Sequence, residues 1–213
     1  MASQLTWLQD LLKRLESVER EDGKITIKSY VHVAEGNQAV YPIIFNGYLT
    51  TSIGTQLAQS NKDGCATVLK DAEEMGKTTV LALVSAQVAK LGEEECGKPG
   101  NRNATKSILW LCRELNFICQ LLRLIASGKK SSDAGYEAYD LAIKQYHPWI
   151  LQQAVGTAVG YVPAIEDIVK ALGIPSVEEG KRQVDAFVPA MEAFVKETMD
   201  ILIQEKANFQ GYA

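Results

Sequence analysis

Five polar or aromatic side chains form a row along one of the most apolar stretches of the sequence, residues 103–128. They recur at steps of three and four residues, so in a helix they share one face: Trp110, Arg113, Asn116, Gln120 and Arg123. Apolar residues occupy nearly every other side of this stretch, which is typical of a helix buried at the centre of a protein. A Trp at the head of such a row is either a core residue with its N–H satisfied or the floor of a binding site. These residues alone leave both interpretations open.

His147 is the second group that could contact a ligand. It lies between Tyr146 and Pro148, and a proline disfavours helical angles in the residue before it. The pattern therefore predicts a break between two helices at His147, with Pro148 beginning the second one. A lone histidine is more often a structural residue, and His32 is assigned that role.

The sequence indicates neither a metal site nor an enzyme active site. Its four cysteines form no CxxC pair, and both histidines are distant from them in sequence. Motifs for a nucleophilic serine, a phosphate loop, a dinucleotide site, a zinc protease and a calcium loop are all absent. We therefore expect a non-enzymatic protein without a metal or other cofactor, whose cysteines are reduced thiols.

Composition and charge indicate one globular domain, residues 1–213, with no nucleic-acid partner. The chain is 46% hydrophobic and 23% charged, and its net charge of −4 excludes a general nucleic-acid footprint. Its apolar runs are shorter than the ~20 residues that a membrane-spanning helix needs, and no apolar signal segment follows Met1. We expect a cytoplasmic monomer.

Hydrophobic periodicity and capping residues predict an all-α protein of about eight helices. The predicted helical segments are residues 3–19, 26–35, 38–60, 66–91, 103–128, 131–146, 149–161, 164–172 and 176–207. Residues 26–35 could also be drawn as a strand, but no other segment supplies a partner strand. Kinks or breaks are predicted at Gly76 and near Gly180 and Pro189, and the Asn-Lys-Asp-Gly run at 61–64 is predicted to end the third helix.

Two segments resemble the signature regions of the glycolipid transfer protein family. Residues 103–118 carry its apolar-Trp-Leu-x-Arg-x-Leu pattern, and residues 139–163 carry its Tyr/His-His-x-Trp segment, an Ala-rich helix and a proline. The resemblance implies a two-layer sandwich of helices that encloses an apolar pocket for lipid chains and holds the headgroup at its surface. It also implies a soluble carrier that binds a sphingolipid, with a glycosphingolipid favoured, and transfers it between membranes without chemical change.

The resemblance assigns headgroup roles to single residues. Trp110 matches the family Trp on which the first sugar stacks, and His147 matches the His that hydrogen-bonds the lipid amide carbonyl. Tyr212 corresponds loosely to a C-terminal family Tyr that orients this His.

The opposite wall of the headgroup site is less well matched. The family places an Asp, an Asn and a Lys along one helical face, and an ungapped alignment puts these positions at Thr55, Gln59 and Lys62. Only the Lys is kept. A different register would use Asn46 and Thr50, and these positions could also be simply solvated.

Residues around Trp110 bear on the choice of headgroup. The family's phosphate-binding branch has an Arg in place of the Trp and a second Arg one helical turn earlier. Here these positions are Trp110 and Lys106, and Glu114 lies one turn beyond. A phosphate prefers a bidentate Arg clamp, so a sugar is favoured over ceramide phosphate. The missing Asp leaves open a ceramide-1-phosphate-type carrier and a non-transferring lipid sensor or interaction module.

Apolar residues are predicted to hold the lipid chains and to contact membranes. The chain pocket is assigned to Phe117, Leu121, Leu124, Val155 and Val159. Trp149 and Tyr161 are expected to contact membrane surfaces transiently, as the resemblance implies; a core position for Trp149 is the alternative.

Overall fold

The computed structural model describes residues 5–47 and 51–210, which are mainly helical. Their helices are α1 Trp7–Glu16, α2 Ile27–Glu35, α3 Tyr41–Ile44, α4 Thr51–Met75, α5 Val80–Leu91, α6 Glu93–Gly97, α7 Ala104–Ala126, α8 Ser131–Ala142, α9 Trp149–Val159, α10 Ile165–Ala171 and α11 Val177–Gln204. Two short strands, β1 Arg20–Glu21 and β2 Lys24–Ile25, pair antiparallel, and 3-10 turns cover Gly36–Ala39 and Lys144–Tyr146. The all-α prediction is confirmed.

The central helix is α7, as its apolar sequence predicts. It packs against α4, α8 and α11 and is buried on nearly every side. The first backbone N–H groups of a helix have no partner within the helix. Here Asp71, Gln87 and Asn103 accept them from Ala104, Thr105 and Lys106. These bonds fix the start of α7 two turns before Trp110.

Several predicted boundaries are confirmed. Residues 26–35 form a helix, α2, which begins after Thr26, whose side chain accepts from the backbone of Ser29. Gly76 and Gly128 adopt positive φ angles just after α4 and α7, a conformation that glycine adopts without strain.

The predicted helix at 38–60 is wrong. The chain instead forms a 3-10 turn and the short helix α3 around Pro42, and α4 runs through the 61–64 segment to Met75. Polar and small residues of that segment serve packing, which is why they do not end the helix. Asn61 is fully buried with its side chain hydrogen-bonded, and Gly64 lies against Leu111.

The ends of the chain differ from the sequence prediction in two further ways. Thr6 caps α1, whereas the predicted start of this helix, residue 3, lies outside the described residues. The final helix α11 is not interrupted at Gly180 or Pro189. Gly180 packs so closely against Val169 that an added Cβ would lie 2.8 Å from it. Pro189 is exposed, so the carbonyl that it leaves unpaired can be hydrated.

The core is continuous and apolar around α7. All four cysteines are buried free thiols, and Cys65, Cys112 and Cys119 belong to this core. Across the two described ranges, none of the helices has the length and apolar character needed to cross a bilayer. The same ranges contain no group of three or more His, Cys, Asp and Glu side chains that could hold a metal ion.

Candidate functional site

Trp110 and His147 meet in the folded chain. Trp110 lies in the second turn of α7, and His147 lies at the break between the 3-10 turn and α9, where Pro148 follows it. His147 has extended backbone angles, as the following proline favours. The two rings are stacked, with centroids 5.6 Å apart and planes 16° apart. The predicted break therefore brings His147 to the head of the polar row.

Tyr139 fixes the orientation of the His147 ring. Its hydroxyl lies 2.9 Å from Nδ1 of His147. Burial, assisted by the charge of Arg113, lowers the pKa of His147 to about 4. A neutral imidazole has one donor and one acceptor nitrogen. When Tyr139 donates to Nδ1, the Nε2–H of His147 is left to donate to a ligand.

Tyr139 was not among the residues that the sequence predicted for the site, and the family resemblance gave the role of orienting His147 to another tyrosine. That tyrosine, Tyr212, lies outside the described residues. A signal was available, because Tyr139 lies eight residues before His147, at the start of the same signature segment.

Arg113 connects the aromatic pair to the C-terminal segment. Its guanidinium carbon lies 5.1 Å from the ring centroid of Trp110 and 3.4 Å from that of Tyr146. One of its nitrogens donates to the side chain of Asn208 and to the carbonyl of Phe209, at 3.1 and 2.6 Å. Burial lowers the pKa of Arg113 to about 10, so it remains a cation at neutral pH. Arg113 thus links the rings of Trp110 and Tyr146 to the C-terminal segment.

A cleft of about 560 Å³ opens beside Trp110, between α4, α7 and the residues before α7. It is lined by Gln56, Gln59, Ser60, Asp63, Gly64, Thr67, Gly100, Asn101, Arg102, Asn103, Lys106, Ser107, Trp110, Leu111 and Glu114. The indole N–H of Trp110 has no hydrogen-bond partner in the described part of the chain. The cleft is therefore a polar site with an aromatic wall.

The structure brings only some of the predicted opposite-wall residues to this cleft. Gln59 lines it, whereas Thr55 and Lys62 are exposed on α4 and are not among the lining residues. Of the alternative pair, Asn46 is exposed and does not line the cleft, and Thr50 lies outside the described residues.

A carboxylate does line the cleft, at a position that the sequence alignment did not give. Gln56, Ser60 and Asp63 follow the predicted spacing one position further along α4. Gln59 donates to Asp63 over 2.7 Å. Ser60, Gly64 and Thr67, which also line the cleft, follow the same spacing, so the lining fits more than one register of the alignment.

Lys106, the cation one turn before Trp110, is nearly buried at the cleft. Its ammonium donates to the carbonyl of Lys98 over 3.1 Å, and burial lowers its pKa. It supplies one cationic donor to the cleft rather than the planar fork of an Arg.

The residues predicted to hold lipid chains lie in the packed interior. Phe117, Leu121 and Val159 are buried, and Leu124 and Val155 pack against them from partly buried positions. An apolar gap of about 20 Å³ lies further along α7, lined mainly by α1, α7, α10 and α11. A gap of this size is far too small for a lipid chain, so insertion of a chain into the interior requires packed helices to separate.

Large apolar side chains are exposed at both ends of α9. Trp149 and Ile150 begin the helix and are 72% and 73% exposed, and Tyr161 follows its end at 53%. The core alternative for Trp149 is therefore wrong, and the exposed position is the one that membrane contact requires.

Comparison with known proteins places these features in a family. The model of the family described as Glycolipid transfer protein (GLTP) matches residues 47–174, more than half of the chain. The human protein named Pleckstrin homology domain-containing family A member 8 is 32% identical over 114 residues, 53% of this chain. The match spans only 20% of that protein's length.

Solved structures share the fold over nearly the whole chain. A FAPP2 structure, described as showing how that protein selects simple glycosphingolipids using the GLTP-fold, has a TM-score of 0.80 at 19% identity. It covers 98% of this chain and 100% of its own. Mouse ceramide-1-phosphate transfer protein in its apo form has a TM-score of 0.79 at 16% identity, covering 96% and 99% of the two chains. At these identities the likeness shows the fold alone.

Proposed function

Because this chain belongs to the glycolipid transfer protein family, we propose that it binds a sphingolipid with a sugar headgroup and carries it between membranes without changing it chemically. The observation that carries the proposal is the stacked pair of Trp110 and His147 beside a polar cleft. Neither ring alone indicates a lipid site, but together they match both signature segments of the family.

Each part of the site suits one part of a glycolipid. The indole of Trp110 offers an aromatic face for the apolar side of a sugar ring, and its buried N–H has no partner among the described residues. The neutral His147, held by Tyr139, can donate to the amide carbonyl of the ceramide. Gln59 and Asp63 offer a donor and acceptors across the cleft.

Such a carrier must above all shield the lipid chains from water, because their exposure has a large free-energy cost. Exposing about 20 methylene groups to water costs on the order of 16 kcal/mol, at about 0.8 kcal/mol for each. The apolar interior around Phe117, Leu121 and Val159 supplies a matching environment once the chains are inserted. We assign the opening movement to α9, since only Ala158 and Val159 of that helix are buried.

Membrane docking is assigned to the exposed ends of α9. Trp149, Ile150 and Tyr161 can enter the interfacial region of a bilayer. Three side chains give weak and reversible binding, which a carrier needs in order to leave the membrane.

A phosphate headgroup is the second candidate, because Lys106 and Arg102 both line the cleft. Two features argue against a phosphate. Along α7 the aromatic Trp110 lies between Lys106 and the carboxyl group of Glu114, and the carboxyl group of Asp63 lines the cleft from α4. The cleft therefore offers two carboxyl groups as well as two cations, a set that suits hydroxyl groups better than a phosphate.

Vesicle transfer of a fluorescent galactosylceramide tests the proposal. Trp110→Ala is expected to lower the transfer rate at least tenfold, while Leu69→Ala, an exposed apolar site on α4, keeps it. Equal rates for the Trp110 variant and the unaltered protein would exclude stacking on Trp110. Native mass spectrometry adds a second readout. Retained lipid without transfer would indicate a sensor, and neither retention nor transfer would overturn the proposal.

A further inference from the structure

A carboxyl group closes the floor of the cleft one helical turn beyond Trp110. Glu114 is only 9% exposed and lines the cleft. Its Oε2 accepts from the hydroxyl of Tyr41 at 2.9 Å and from the amide of Asn61 at 3.2 Å. Its Oε1 accepts no hydrogen bond from the described residues. One oxygen is therefore held by the protein, and the other is left for a ligand.

The groups that hold Glu114 are themselves fixed. The amide nitrogen of Asn61 also donates to the carbonyl of Ala34, and its oxygen accepts from Gln38 at 3.2 Å. These contacts tie α2, the 3-10 turn after it, α4 and α7 to one carboxyl group. A side chain held from several elements keeps its direction when a ligand arrives, which is what selective recognition requires.

The surroundings of Glu114 leave its charge unpaired. The titratable groups that face it are Tyr30 from α2, Tyr41 from α3 and Cys65 from α4, none of which is a cation. Asp63, Lys106 and Arg102 line the same cleft; neither cation forms an ion pair with Glu114 among the described residues, and the ammonium of Lys106 is bonded to a backbone carbonyl. Burial raises the pKa of Glu114 to about 7, so the group is ionised at pH 8 and protonated at pH 6.

We propose that Glu114 selects the headgroup: its free oxygen accepts a hydrogen bond from a hydroxyl of a neutral sugar, and its charge excludes headgroups that carry a sulfate or phosphate. This rests on the proposed function, because it requires the cleft beside Trp110 to hold the headgroup. A charged acceptor strengthens a hydrogen bond to a hydroxyl. Two like charges in a shielded cleft repel each other strongly.

Two lipids that differ by one charge provide the test. Galactosylceramide and its 3-O-sulfated form share a sugar and a ceramide, and the sulfate stays ionised from pH 6 to 8. At pH 8 we expect the unaltered protein to transfer the neutral lipid at least tenfold faster. Glu114→Gln keeps the shape and an acceptor oxygen but removes the charge, so the ratio of the two rates should fall about tenfold. Glu73→Gln, an exposed site on α4 whose carboxylate has no hydrogen bond or ion pair among the described residues, should leave the ratio unchanged.

The unaltered protein supplies a second measurement that needs no substitution. Lowering the pH from 8 to 6 protonates Glu114, so the preference for the neutral lipid should weaken about fivefold. It should not change with pH in Glu114→Gln. A preference that is the same in all three proteins and at both pH values overturns the role of Glu114 while leaving the carrier function intact. Transfer of neither lipid by the unaltered protein overturns the carrier function and, with it, this inference.

Discussion

The helices α7 and α9 both border the pair of Trp110 and His147, yet the fold holds them very differently. α7 is buried on nearly every side and is bonded at its start by three other side chains. α9 buries only Ala158 and Val159, and its first two residues, including Ile150, are largely exposed. A rigid helix can hold a headgroup in one geometry, whereas a loosely packed helix can move to admit lipid chains. The contrast predicts that stability and transfer depend on different parts of the molecule.

Replacing one apolar side chain on each helix by Ala should show most clearly how differently the two helices contribute to stability. Leu115 on α7 is fully buried, so Leu115→Ala is expected to lower the free energy of unfolding by about 2–5 kcal/mol. Ile150→Ala on α9 should change it by less than about 0.5 kcal/mol, since that side chain is mostly in solvent. Urea denaturation followed by circular dichroism measures both. A cost at Ile150 comparable to that at Leu115 would show that α9 is part of the rigid scaffold.

The two titratable groups of the site should give opposite pH dependences of stability. For Glu114 the folded pKa of about 7 lies above the usual 4.5, so the folded state binds the proton more tightly. Its contribution therefore makes the protein less stable as pH rises from 4.5 to 7, by roughly 3 kcal/mol. For His147 the folded pKa of about 4 lies below the usual 6.5, so its contribution to stability is lost as pH falls from 6.5 to 4. Because this ring is partly solvated, we expect roughly 2 kcal/mol.

Substituting one of the two groups at a time should reveal how the other makes stability depend on pH. Between pH 4.5 and 6.5 the two effects oppose each other, so the unaltered protein should show little change in its free energy of unfolding. Glu114→Gln should leave a stability that rises with pH, and His147→Gln should leave one that falls. Denaturation series at half-unit pH intervals test both signs. The same slope in both variants would mean that other groups dominate.

The sequence predicts the rigid half of the site better than the other half. The ends of α7 and the break at His147 follow from local rules, because Asn103, Gly128 and Pro148 act on their immediate neighbours. Those rules and the family resemblance suffice to single out Trp110 and His147.

The opposite wall depends on contacts between distant segments. Asn61 and Gly64 belong to a helix-ending pattern, but one is buried beside Glu114 and the other packs on Leu111. Nothing local shows that Tyr41 and Glu114, 73 residues apart, share a hydrogen bond. The alignment therefore gave Gln59 but not the other residues of α4 that line the cleft.

A smaller effect is expected at the hydroxyl of Tyr139, which orients His147, while the ring itself is buried in the core. Tyr139→Phe removes one hydrogen bond and should cost about 1 kcal/mol of stability. Transfer of galactosylceramide should fall several-fold, because the imidazole ring loses its fixed orientation. The ¹⁵N chemical shifts of His147 report the change directly, since Nδ1 no longer has a hydroxyl partner. Unchanged shifts with reduced transfer would indicate that Tyr139 acts through α8 packing instead.

Trp149 is expected to contribute least to stability and most to membrane binding. Trp149→Ala removes a side chain that is 72% exposed, so the free energy of unfolding should change by less than about 0.5 kcal/mol. Binding to neutral phosphatidylcholine vesicles, measured by sedimentation, should weaken about tenfold because the indole is an interfacial anchor. Gln153→Ala, at an exposed polar position in the middle of α9, serves as the matched control and should bind as the unaltered protein does. If Trp149→Ala binds vesicles normally and still transfers lipid, α9 does not face the membrane, and its looseness serves only the insertion of the chains.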